Sequence, residues 1–235
     1  MLEAYDDIKK ICDDVLMKIE VKDSGEARVA GLLLMTIAES YGVVGTLVRT
    51  VYGSHAPTHC RSMMESLVNL KLMVDRPGSH LDQIHFQNAH QSLKVVRAFA
   101  KDPDVAADAN IMNALDAIQQ EYQPTYDALK AKGYGEKKIF QLFKEAKLEA
   151  LYISYGFYCT FTHNQLNTLA ARHVGEMRFL YGQPLPDDVL EMVLGTSISL
   201  YGQALLLAPA FTSLTTAELS AMHGAVDARW AALKV

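Results

Sequence analysis

Apolar residues recur every three or four positions along almost the whole chain, and no stretch shows the apolar–polar alternation of a half-buried strand. A helix turns once in 3.6 residues, so this spacing gathers apolar side chains on one face, whereas a strand would scatter them over two. The chain is therefore expected to be all-α. Tyr5, Ile8, Cys12, Val15, Leu16 and Ile19 mark one face of a first helix, with Asp6, Lys9, Lys10 and Asp13 opposite. A second helix is read from about Glu26 to Tyr52. It is apolar nearly all round from Val29 to Ala38, as a helix packed on several sides is.

Pro57 and Thr58 open a third helix, which Arg76-Pro77-Gly78 closes. Ser79 is expected to cap a fourth, and Asp104 to Lys132 reads as a partly exposed helix kinked at Pro124. Beyond Gly133-Tyr134-Gly135, a short helix over Glu136 to Lys147 runs into one long helix from Leu148 to about Val174. Asp187-Asp188 starts the next, expected to end near Leu214, and Thr215 or Thr216 caps the last. Helices joined by short loops imply a single-domain antiparallel helical bundle over residues 1–235, of about seven to nine helices. The second, third and seventh are expected at its centre.

Composition narrows the function classes. A net charge of -5 gives no global attraction to nucleic acid, so any RNA contact must rest on a local patch. Lys130, Lys132, Lys137, Lys138, Lys144 and Lys147, interleaved with Tyr134, Phe140 and Phe143, form such a cluster; helix-terminal lysines over a buried aromatic face are the plainer reading. Cys12, Cys60 and Cys159 are odd in number and lie among apolar residues, which suits reduced thiols. The opening MLEAYDDIKK carries an acidic pair where a secretory signal would be basic, so a cytoplasmic setting is expected. The uncharged stretch from Met192 to Ala217 includes many Ser, Thr and Gly, and a buried core helix accounts for it better than a membrane span.

Two segments carry chemistry. In the third helix Arg61 and Glu65 share a stripe with Val68 and Leu72, so both charges are aimed partly into the protein. The pair is either an intrahelical ion pair or a polar centre in which Arg61 holds an anion and Glu65 orients it. Between Ala150 and Ala171, His163 is the one ionisable group apart from tyrosine and Cys159, and it is expected where water is scarce. With Arg61 and Glu65 it forms the candidate catalytic set, an imidazole for proton transfer and a guanidinium for a phosphate. Tyr155, Tyr158, Thr162 and Asn164 are the candidate ligand-binding residues. His55 with His59, and Asp82 with His85, have helical ligand spacing, but Pro57 interrupts the first pair and no Glu-x-x-His repeat occurs. No metal or cofactor is expected. His80, His85 and His90 read as surface positions, and Gly42, Gly45, Gly195 and Gly202 as close helix contacts.

Arg61-Ser62-Met63-Met64-Glu65 in an apolar helix, followed by the Tyr155, Tyr158, Thr162 and His163 segment, resembles a widespread bacterial family of uncharacterised helical proteins. That family has the form Arg-x-x-x-Glu and then Tyr-x-x-(Ser/Thr)-x-x-His. The resemblance covers about residues 55 to 175 and implies no particular activity. More distantly, the chain is similar to the HEPN superfamily, many of whose members are ribonucleases or nucleotidyltransferase partners in toxin and defence systems. Arg49 and His55 have the spacing of its Arg and His signature, though they straddle Gly53-Ser54. Two functions of different class follow. One is an interaction or regulatory protein, with a protein partner or as a homodimer, holding a small anion near Arg61, Glu65 and His163. The other is a metal-independent, HEPN-like ribonuclease or nucleotide-binding protein.

Overall fold

The computed structural model describes residues 1–163, 165–174 and 184–232, and every regular element among them is helical. In chain order these are α1 (Leu2–Leu16), α2 (Gly25–Leu47), α3 (Ala56–Asp75), α4 (Pro77–Phe99), α5 (Pro103–Ala106), α6 (Ala109–Ala131), α7 (Ile139–Glu145), α8 (Glu149–Thr162), α9 (Leu166–His173), α10 (Asp187–Leu206) and α11 (Thr216–Ala231). Single 3₁₀ turns at Gly53–His55 and Ala208–Ala210 complete the described set. The count exceeds seven to nine because α5 is one turn and because the helix expected from Leu148 to Val174 divides into α8 and α9. Ser79 lies inside the first turn of α4, which Pro77 opens. Thr215 caps α11 in a reciprocal box with Glu218, as its spacing requires.

The chain forms two compact units, Met1–Asp75 with Ile139–Val235, and Arg76–Lys138. In the first, α2, α3 and α10 pack on one another, α1 lies against α2 and α10, and α11 lies against α1 and α10. The centre thus includes α10 in place of the seventh expected helix, because α8 meets α3 on one face and leaves another open. α2 and the stretch Asp187–Ala210 are long and apolar enough to cross a membrane (mean hydropathy 1.4 and 1.3). About half of the most apolar part of each is buried inside the protein, 44% and 50%.

A tyrosine clasp joins these helices. The rings of Tyr5 and Tyr41 stack with centroids 4.2 Å apart, and each hydroxyl donates to the other residue's backbone carbonyl, at 2.9 and 3.0 Å. Ser197 of α10 shares the Tyr5 hydroxyl at 3.0 Å, and Tyr201 donates to Asp13 at 3.1 Å. Gly45 makes room for this, since a Cβ there would stand 2.8 Å from the Tyr5 ring. Gly202 has nothing within 4 Å of such a Cβ, so its reading as a close contact fails.

In the second unit Asp82 of α4 pairs with Lys132 at the end of α6, and Phe86 stacks on Tyr126, so the two helices run antiparallel. Gln83 and Gln87 donate to the carbonyls of Gly135 and Lys137, fixing the segment after Gly133. Gly133 adopts φ 90°, a left-handed conformation suited to glycine at a helix end. His80 is buried and His90 is half-buried beside the Phe86 and Tyr126 rings, so neither is the surface residue expected. Tyr126 of α6 is what covers His90.

Candidate functional site

α3 and α8 bring the site together. Arg61 and Glu65 are one helical turn apart, and the Arg61 Nε donates to Glu65 Oε1 at 3.0 Å. Tyr155 of α8 closes a triangle: its hydroxyl donates to the same Oε1 at 2.7 Å and accepts from Arg61 Nε at 3.3 Å. The guanidinium carbon lies 5.5 Å from the centre of the Tyr155 ring, within cation–π range. Phe143 and Tyr152 pack on that ring and hold it in place.

The electrostatics follow from this geometry. Burial pushes the Tyr155 phenol well above its usual range and the hydrogen bond to Glu65 adds to the shift, so Tyr155 stays protonated and acts as a donor. Burial works against the Arg61 charge, but Tyr155 and Glu65 more than offset it, and the guanidinium is held more firmly charged than usual. The Arg61 side chain is 22% exposed. Its Nε is committed to Glu65 and Tyr155, while among the described residues the two terminal nitrogens have no hydrogen-bond partner. What results is a braced, permanently charged fork whose outer edge no described residue occupies.

The remaining candidates fall elsewhere. His163 caps the end of α8 through its backbone N–H on Cys159 and is exposed, against the expectation of a sheltered imidazole. It follows Tyr155 by eight residues, roughly 12 Å along the helix axis. Tyr158 is buried and donates to Thr196 Oγ1 of α10 at 2.9 Å, which ties α8 to the core. Thr162 Oγ1 is buried without a partner among the described residues. Asn164 lies outside the described residues. Arg49 binds both oxygens of Asp6 at 2.7 Å, and it and His55 stand beyond the end of α2, so they share no α-helix.

Cys12 and Cys60 are buried thiols pushed up to about 12 by burial, and Cys159 is half-buried. Among the described residues no three His, Cys, Asp or Glu side chains converge as metal ligands. Lys132 is engaged by Asp82, Lys130 lies over the Tyr126 ring, and Phe143 is fully buried and offers no stacking surface. Tyr155, one of the candidate ligand-binding residues, stands against Arg61 and Glu65 as their brace. Its spacing in the sequence gives no sign of that pairing, because only the fold brings its hydroxyl to a charge.

A family model described as a family of unknown function, DUF5677, matches residues 27–178, from the first turn of α2 to beyond α9. The chain belongs to DUF5677. The matched stretch includes both site helices, α3 and α8, and is wider than residues 55 to 175. α1, α10 and α11 of this DUF5677 member lie outside it. No curated protein and no solved structure matches the chain.

Proposed function

We propose that this DUF5677 member is a ligand-binding regulatory or interaction protein, and that Arg61 recognises an anionic group, phosphate or carboxylate, on what it binds. The observation that carries this reading is the bracing of Arg61 Nε by Glu65 and Tyr155, with the terminal nitrogens lacking a protein partner among the described residues. Glu65 meets Arg61 through one oxygen on the inner nitrogen, which leaves the outer pair able to offer an anion a bidentate seat. This braces the fork without filling it.

Binding is favoured over catalysis because neither of the two groups facing the open edge, the Tyr155 phenol and the Arg61 guanidinium, gives up its proton near neutral pH. Tyr155 is held protonated and Arg61 charged. The ribonuclease reading requires His163 to act beside Arg61, and the exposed position of His163 two turns beyond Tyr155 does not favour it.

Calorimetric titration with inorganic phosphate tests the proposal. The wild-type chain is expected to bind with saturation, Arg61→Lys at least tenfold more weakly, because a point charge cannot reproduce the fork, and Arg61→Met not at all. Equal binding by Arg61→Met, or none by the folded wild type, overturns it. Cleavage of RNA in chelator that is lost in His163→Ala would replace it with the enzyme.

A further inference from the structure

A second feature of α8 lies on the face turned away from Tyr155 and Tyr158. Ile153 is 79% exposed and Phe157 41% exposed, with the exposed Gly156 between them. Glycine weakens a helix interior and is normally retained there for close approach or unusual backbone. Neither applies among the described residues: Gly156 has ordinary helical φ, and a Cβ on it would meet none of them within 4 Å. Glu149 and His163, both exposed, stand seven residues before and seven after it, and no acidic or basic residue lies between them. Seven residues are two turns less about 20°, so Glu149, Gly156 and His163 lie along one stripe.

We infer that this face is where a second copy of the chain docks, α8 crossing α8 antiparallel about a two-fold axis at Gly156. That symmetry brings residues equally far before and after Gly156 to the same level. The Glu149 carboxylate of one copy then accepts from the His163 imidazole of the other, twice per dimer. Ile153 and Phe157 of the two copies pack across the space that the missing Cβ leaves. The charge arrangement is complementary to itself under this operation, which is the condition an isologous interface must meet. One helix crossing buries less than the about 800 Å² per partner typical of stable complexes, so the dimer is weak and concentration-dependent. It does not depend on the Arg61 site.

Sedimentation velocity over a concentration series reads the association directly. The wild type is expected to pass reversibly from monomer to dimer. Gly156→Arg, which has open space in the monomer, raises the dissociation constant more than tenfold, and Glu149→Lys raises it less. The exchange Glu149→His with His163→Glu restores the wild-type value to within about threefold. In a Cys159→Ser background, Gly156→Cys gives a disulfide-linked dimer on mild oxidation, whereas Leu32→Cys, on an exposed position of α2, does not. A wild type that stays monomeric at the highest concentration leaves the face to another partner and overturns the inference. So does a dimer whose affinity Gly156→Arg leaves unchanged.

Discussion

The Tyr155 hydroxyl accepts from Arg61 and donates to Glu65, while its ring supports the guanidinium from beneath. Tyr155→Phe keeps the ring and removes both hydrogen bonds, so the charge remains but its orientation loosens. Phosphate affinity is expected to fall about three- to tenfold, the equivalent of one neutral to charge-assisted hydrogen bond, with folding stability lowered by about 1 kcal/mol. Titration calorimetry and urea unfolding measure the two effects on the same sample. Loss of stability with unchanged affinity would assign Tyr155 to packing alone. The spacing of Arg61 and Glu65 made that pair legible in the sequence. Their third partner was not, because it is 90 residues from Glu65 and depends on how α8 is rotated against α3.

Two glycines show how element packing divides residues that look alike in sequence. Gly45 faces the Tyr5 ring, and a methyl group there would collide with a stacked pair that cannot yield without breaking two hydrogen bonds. Gly45→Ala is expected to destabilise the fold by about 1 to 3 kcal/mol despite the better helix propensity of alanine. Gly156 faces open space, so Gly156→Ala is expected to stabilise the chain by roughly 0.5–1 kcal/mol. Thermal unfolding of both variants, done at low protein concentration, should shift in opposite directions. Helix starts were legible wherever a proline or a capping hydroxyl marks them, as at Pro77 and Thr215. Ends were less so: α1 and α2 stop three to five residues early, and α8 parts from α9 at a break that no proline or glycine signals.

At the scale of the molecule, α2, α3 and α10 enclose hydroxyls as well as apolar side chains, and Tyr5, Tyr41 and Tyr201 are held protonated well above the usual tyrosine range, chiefly by burial. A raised folded-state pKa means stability is fully present below the unfolded value of about 10 and is lost as pH rises beyond it, because the unfolded chain ionises first. Denaturant midpoints should therefore be level up to about pH 9 and fall steeply by about pH 11. A flat profile would show these tyrosines to be hydrated. The all-α class was legible from periodicity, whereas the central place of α10 was not, since α2, α8 and α10 are all apolar and only packing ranks them.

The Arg61 guanidinium can be observed directly by nuclear magnetic resonance of the arginine side-chain N–H groups, assigned by comparison with Arg61→Lys, while inorganic phosphate is added. Saturable shifts of the Arg61 resonances at phosphate concentrations that leave the other arginines unchanged are the predicted result. Resonances of Arg61 that do not move, or that move in proportion with every other arginine, would contradict a fixed guanidinium built to receive an anion.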